Sequence, residues 1–445
     1  MNWLGREVSN NKWGKGKVIG QRHGDYELFV QFESGLVTWI KKNECAIVSE
    51  NSNGNIVIRG PQPIGGGEKE AVFNPEIINR RKAIEAFKLG IVPPIVKDFI
   101  FGRDSEIAEI KQWLSQDNEN TILLYGNYGT GKSHMIQYIK NIGVDMGYVV
   151  SNCVLDPTET PLCKPKSVYR SIVTNITYSK ENKSFRDLIR EIVSYGESNF
   201  DNYFIDMIFH SPLTSETFWR WIEGDDISKT FSGYPTLSPW TTSANIYCNL
   251  LSAYGYFIRK KLGLRGLLLL FDEAESINIG YYTSQQYYRG INFFKGLKMM
   301  ASNTRILLDE EKSYSTPVTG YKSSLIYDAR TRLPYLYRIP TGVKMLFAFT
   351  PTESIMRFCS ELGFTRDLFL EPLNVKTREE VVKAIQRLYL SAYNNFFVSD
   401  SDLSFIQRKV KRVSGEEIRS LVKSTIEAMD LKRHWPQISV QELLS

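Results

Sequence analysis

Gly126-Asn127-Tyr128-Gly129-Thr130-Gly131-Lys132-Ser133 spells a complete G-x-x-x-x-G-K-[ST] phosphate loop. The apolar run Thr121-Ile122-Leu123-Leu124-Tyr125 precedes it, and a helical stretch, His134 to Lys140, follows. A strand that turns sharply into a helix aims backbone N–H groups at one spot, where the helix dipole also favours negative charge. The glycines let that backbone wrap a phosphate chain, with Asn127, Tyr128, Thr130 and His134 completing the candidate nucleotide contacts. Lys132 then reaches the β- and γ-phosphates, and the Ser133 hydroxyl is placed to ligate Mg²⁺. A glycine-rich turn without a ligand is the bland alternative, but it does not explain a strand and a helix on the correct sides. The expected ligands are ATP and Mg²⁺.

Further along, Leu267-Leu268-Leu269-Leu270-Phe271 runs into Asp272-Glu273-Ala274-Glu275. A strand apolar on both faces suits the centre of a parallel sheet, and ligands gather at the carboxyl ends of such strands. There Asp272 is placed to hold Mg²⁺ and Glu273 to polarise an attacking water as general base. Adjacent carboxylates 4 Å apart repel by about 4 kcal/mol at an effective dielectric near 20, a conflict that a bound cation removes. An Asp-Glu pair that merely opens a helix is the competing reading. Lys344 to Phe349 forms the next apolar strand, and Thr350 at its end is placed to orient the lytic water, although Thr before Pro is also common turn chemistry.

The separation between Lys132 and Asp272 is about double what a compact βαβ succession needs. Residues 156–262, rich in Tyr, Phe and Trp, therefore read as an inserted helical subdomain. A second insertion, Leu307 to Gly342, concentrates tyrosines with Arg330, Arg332 and Arg338. After the short strand Leu368-Phe369-Leu370, preceded by Arg366, the pattern is wholly helical. Thr377-Arg378-Glu379-Glu380 and Ser414-Gly415-Glu416-Glu417 both have the form of capping boxes. The second places Arg419 in the opening turns of its helix, where it can reach back to a γ-phosphate; a solvated surface Arg is the alternative.

At the other end, Tyr26, Leu28, Val30 and Phe32 alternate on one strand face, Glu33-Ser34-Gly35 turns, and Leu36 to Ile40 returns. Asn51 to Lys69, with Gly-Pro-Gln-Pro and Gly65-Gly66-Gly67, has linker composition. The expected organisation is a small β module over 1–50, a linker over 51–72, a nucleotide core over 73–375 and a helical lid over 376–445. Five dispersed cysteines without a CxxC pair read as reduced thiols, and no zinc site is legible among four histidines. No apolar run is long enough for a bilayer and the first residues lack a secretion signal, so no membrane association and a cytoplasmic location are expected. A net charge of +6 permits contact with nucleic acid without requiring it. Arg259-Lys260-Lys261 and Arg408-Lys409-Val410-Lys411-Arg412 are basic clusters for phosphates, or solvated helix faces.

Phosphate loop, Asp-Glu strand, Thr350 strand, Arg366 and a lid opening with Arg419 occur in an order that resembles AAA+ ATPases, over roughly Phe99 to Arg433. The resemblance implies an α/β P-loop core with a parallel sheet, a helical insertion and a C-terminal helical lid. It also implies Walker A at Gly126 to Ser133, Walker B at Asp272 and Glu273, sensor 1 at Thr350 and sensor 2 at Arg419. Arg366 lies where origin-recognition-type members place an arginine finger acting on a neighbouring subunit, with Arg338 and Arg330 as rivals, so a homo-oligomer is implied. The first fifty residues, with Trp13-Gly14-Lys15-Gly16-Lys17-Val18, resemble an SH3-like or Tudor-like barrel of the kind that docks proteins or nucleic acid. Trp13, Phe32 and Trp39 filling a tiny core is the plainer reading.

A narrower likeness joins Arg81 to Phe87, Gly129 to His134, Trp221-Ile222-Glu223-Gly224 and Gly266 to Glu275, which together look like the ATP-binding proteins of bacteriophage-exclusion (BREX) systems. That resemblance implies an ATPase of a prokaryotic anti-phage defence system, acting with DNA and a partner helicase. A nucleotide-gated switch with slow hydrolysis is the main alternative. A small-molecule kinase fits less well, because the Asp-Glu strand end favours water activation and no acceptor pocket is recognisable.

Overall fold

The computed structural model describes residues 7–10, 14–22, 27–33, 37–41, 46–50, 56–59, 75–93, 99–197, 200, 202–225, 233–277, 280, 282–393, 398–413 and 417–443. Contacts divide the chain into two compact units, one of residues 1–82 with 391–394 and one of the remainder.

In the first unit six strands form an antiparallel sheet: β1 (Glu7–Asn10), β2 (Gly14–Arg22), β3 (Glu27–Phe32), β4 (Val37–Lys41), β5 (Ala46–Glu50) and β6 (Ile56–Arg59). Their order is β4-β3-β2-β1-β5-β6, so the described pairings run edge to edge and do not close a barrel. Leu28, Val30 and Phe32 are buried as the alternation requires, packed with Val8, Val18 and Ile40. Tyr26 and Trp13 lie outside the described residues, as does the side chain of Trp39. Ile56–Arg59 falls inside the expected linker yet pairs with β5, because Ile-Val-Ile is a strand former amid linker composition.

The second unit is built on a parallel sheet. Helix α1 (Pro75–Lys88) starts in the first unit and ends in the second, and α2 (Asp104–Ser115) leads to β7 (Thr121–Gly126), α3 (Lys132–Asp145) and β8 (Tyr148–Val154). Then come α4 (Pro165–Thr174), β9 (Ile176–Thr177), α5 (Phe185–Ser194), α6 (Tyr203–His210), α7 (Glu216–Ile222) and α8 (Ala244–Leu262). The acidic strand β10 (Gly266–Asp272) precedes α9 (Ser284–Ala301), β11 (Val343–Phe349), α10 (Glu353–Glu361) and β12 (Asp367–Leu370). Four helices close the chain: α11 (Val375–Ala392), α12 (Asp400–Val413), α13 (Ile418–His434) and α14 (Val440–Leu443). The sheet order is β12-β7-β11-β10-β8-β9, parallel throughout except for the edge strand β9. The strand ending at Thr350 thus lies between the phosphate-loop strand and the acidic strand.

Each central strand is buried on both faces. Leu268 and Leu270 point into a core with α2 and α3, while Leu267, Leu269 and Phe271 enter a larger one. That larger core also takes Tyr169, Leu188, Phe218 and Trp221 from residues 156–262. The inserted helices are present as expected, but they form the covering layer of the sheet rather than a subdomain with its own core. The reason is α8, whose 19 residues are buried along nearly their whole length against β10 and β11. Among the described residues no helix is long and apolar enough to cross a membrane.

In the lid, α11 begins at Val375, two residues before the expected cap Thr377. Asn374 serves instead, its side-chain oxygen accepting from the Thr377 N–H at 2.9 Å. Ser414 lies outside the described residues.

Candidate functional site: a phosphate loop facing three carboxylates

The phosphate loop connects β7 to α3 through a backbone that only glycine adopts easily. Gly131 has φ of 99° and Gly129 of 78°, both in the left-handed region. Lys132 opens α3 and folds back, its Nζ donating to the Gly126 carbonyl at 2.8 Å and to Thr350 Oγ1 at 3.0 Å. Thr350 in turn donates to Glu275 Oε1. One ammonium therefore ties the ends of β7 and β11 together.

Asp272 ends β10 beside them. Burial pushes its carboxyl up, opposed by a hydrogen bond from Ser133, by the Glu273 N–H at 3.0 Å and by the Lys132 charge. Glu273 follows with φ of 54°, a rare conformation for a residue with a side chain. Such strain costs of order 1–3 kcal/mol and collects at functional sites. Here it turns the Glu273 carboxylate into the cavity lined by Lys132, Ser133 and His134. Burial, then Glu275, then Asp272 raise the Glu273 pKa; Lys132 and Arg419 pull it down.

A Ser hydroxyl hydrogen-bonded to a buried carboxylate is a hard-oxygen pair, the donor chemistry that suits Mg²⁺. Among the described residues no group of three or more His, Cys, Asp or Glu is arranged to hold a metal. Ser133 and Asp272 are the residues that could hold Mg²⁺.

Beside the loop lies an apolar hollow of about 60 Å³ between Phe87, Phe99, Met135 and Val422. The cavity at Glu273, about 130 Å³, shares Phe87, His134 and Val422 with it. Both are small beside the 300–1,000 Å³ of usual ligand pockets. The lid explains this: Ile418 donates its N–H to the Gly129 carbonyl at 3.1 Å, and Arg419 donates to the Tyr128 hydroxyl at 2.8 Å. Arg419 lines the cavity with its guanidinium against the Tyr128 ring.

The structure brings Gly126 to His134, Asp272, Glu273, Thr350 and Arg419 to one place. Arg366 is elsewhere. It sits at the amino end of β12, four strand positions or about 13 Å from the level of Gly126. Its guanidinium is engaged with Glu119 at 3.0 Å, Gln116 at 3.2 Å and Glu109 at 3.6 Å, and only 15% of the side chain is exposed. These contacts tie Arg366 to α2 and to the segment that precedes β7. Arg330 and Arg338 line a different cleft.

Two contributors went unassigned in the sequence. Glu275 orients Thr350, and its other oxygen is buried with no hydrogen-bond partner among the described residues. Arg103, buried, donates to the Thr130 carbonyl at 3.0 Å and to Glu106 at 2.8 Å, fastening the phosphate loop to α2. A third acid two residues past an Asp-Glu pair was a signal for the former; nothing local marks the latter.

Sheet order, phosphate loop and C-terminal helices define an α/β fold with a phosphate loop at the carboxyl end of a parallel strand. Residues 77–199 match the family model described as BREX system ATP-binding protein BrxC/D. The match contains the phosphate loop but stops short of Asp272, Thr350 and Arg419, and it supports nucleotide binding. Among curated proteins none matches at a significant level. Similar solved structures include AMPPCP-bound DnaA from Aquifex aeolicus, at a TM-score of 0.36 and 12% identity, covering 78% of this chain and 68% of that one. Replication initiator DnaA bound to AMPPCP and single-stranded DNA overlaps with a TM-score of 0.35 and 13% identity, over 76% and 64% of the two chains. A DNA replication initiation factor gives 0.36 and 12%, over 78% and 67%. At such TM-scores the overlap is coarse.

Proposed function

We propose that the protein is an ATPase of a prokaryotic anti-phage defence system. In this reading it couples ATP binding and hydrolysis to assembly on DNA and to loading or regulating a partner helicase. The observation that carries the catalytic part is the meeting of Lys132, Thr350, Asp272 and Glu273 at the carboxyl ends of three adjacent strands. The defence setting is supported by the BrxC/D match over residues 77–199.

The purine sits in the apolar hollow beside Phe87 and Phe99, and the phosphates lie along the loop amides. Ser133 and Asp272 would hold Mg²⁺, which would supply charge neutralisation to the phosphates. Glu273 takes the proton from water as the water oxygen adds to the γ-phosphorus and the bond from that phosphorus to the β,γ-bridging oxygen breaks, releasing ADP. Thr350, fixed by Glu275, orients that water, and Lys132 stabilises the charge that develops on the phosphoryl oxygens. Positioning and electrostatics therefore supply the acceleration, with little covalent chemistry from the protein.

Glu273→Gln is expected to retain ATP binding while turnover falls about 10²- to 10⁴-fold, measured by phosphate release and by fluorescent-nucleotide titration. Turnover unchanged by this substitution overturns the assignment.

The hydrogen bonds from Ile418 and Arg419 to the phosphate loop favour a second reading, a nucleotide-gated switch. Nucleotide must displace these contacts, so lid position reports occupancy even when hydrolysis is slow. DNA- or partner-stimulated turnover distinguishes the two: the switch predicts none.

A further inference from the structure

A second cleft, of about 680 Å³, shares no lining residue with the nucleotide site. It is walled by Arg330, Arg332 and Arg338 on one side and by Tyr203, Trp240 and Tyr337 among them. Trp240 also lines a neighbouring hollow of about 370 Å³ whose cations are Lys164, Lys166 and Arg170. We propose that these two hollows, joined at Trp240, form a binding groove for single-stranded nucleic acid.

The aromatic residues decide the ligand class. Trp240 is 55% exposed and Tyr203 58%, large apolar surfaces that folding leaves in water. Ser243 donates to the Trp240 backbone carbonyl at 2.6 Å, and the Arg330 guanidinium lies 5.7 Å from the Trp240 ring centre. Arg338 is set between Tyr256 and Tyr337, 5.5 and 5.1 Å from their ring centres. Flat rings interleaved with guanidiniums are what unstacked bases and phosphates require. A duplex keeps its bases inside and an acidic peptide has none to stack, so neither uses the rings.

The charge is available too. Among the described residues neither Arg330 nor Arg332 forms an ion pair. Asp328, the carboxylate of the larger hollow, is buried and accepts the N–H groups of Arg330 and Thr331 at 2.9 Å, so it shapes the turn that presents Arg330. Arg170 is shared with Asp225 at 2.6 Å, which places the stronger field at Arg330 and Arg332. By contrast Arg259, Lys260 and Lys261, a basic cluster in sequence, are engaged with Asp117 and Glu197.

The groove locates the strand in the DNA-associated reading above and does not depend on hydrolysis at Lys132. Anisotropy titration of the full chain with labelled oligothymidylate of about 20 nucleotides, over a salt series, tests it. Trp240→Ala is expected to weaken binding about tenfold with the salt slope kept. Arg330→Glu with Arg332→Glu is expected to weaken it more and to flatten the log–log slope by about 0.7 per lost phosphate contact. ATP binding and melting temperature stay at wild-type values in both, and Lys423→Glu, on the exposed face of α13, changes neither affinity nor slope. Wild-type affinity in the groove variants overturns the groove while DNA association stands elsewhere. No binding of the oligonucleotide at any salt removes both, with the ATPase reading untouched. Tighter capture of duplex or of polyglutamate than of oligothymidylate overturns the single-strand assignment.

Discussion

At the scale of single residues, Glu275 links the candidate base to the candidate water-orienting hydroxyl. Its charge is the second cause, after burial, of the raised Glu273 pKa. A general base works only when ionised, so turnover falls as pH drops through that raised pKa. The acid limb of the kcat profile is therefore expected above the ordinary glutamate value of 4.5. Glu275→Gln removes one neighbouring charge and moves the limb to lower pH, while the loosened Thr350 lowers kcat on the plateau about tenfold. A limb that stays in place speaks against Glu273 as the base. The eight loop residues were legible because their chemistry is contiguous in the chain. Glu275 and Arg103 were not, since each acts through a partner, Thr350 or Thr130, that only folding brings near.

At the scale of elements, the lid helix α13 sets access to the site. Arg419 lies at its second position, held by Tyr128 across the mouth. Once nucleotide enters, the same guanidinium is placed to exchange a phenol for a phosphate, a stronger charge-assisted partner. Arg419→Ala is expected to weaken ATP about tenfold and ADP by less, read by isothermal titration of both nucleotides. Equal losses for the two remove the γ-phosphate role. The strands were legible by their apolar runs, and the lid by its helical pattern. The start of α11 was not, because Asn374 and Thr377 are both good caps and the choice follows from where the chain leaves β12.

At the scale of the whole molecule, one sheet carries two cores. Leu269 and Leu270 are adjacent in β10 yet enter different ones, facing the inserted helices and α3 respectively. Leu269→Ala and Leu270→Ala are each expected to lower stability by about 2–5 kcal/mol in denaturant unfolding, because both leave cavities in close-packed surroundings. A near-neutral result for either side contradicts the two-faced burial. The residues 156–262 looked separable in sequence, since their length exceeds a crossover. Their packing shows a single body with the sheet, because α8 has no exposed face on which a separate core could end.

The sequence by itself determined the phosphate loop, the acidic strand and the α/β class, because these rest on backbone geometry and periodicity carried by consecutive residues. Only the tertiary structure decided which charges are spent and which are offered. Arg366 and the 259–261 cluster meet carboxylates distant in the chain, whereas Arg330 and Arg332 meet none among the described residues. Coulomb energy depends on separation through space, and linear order does not encode that separation.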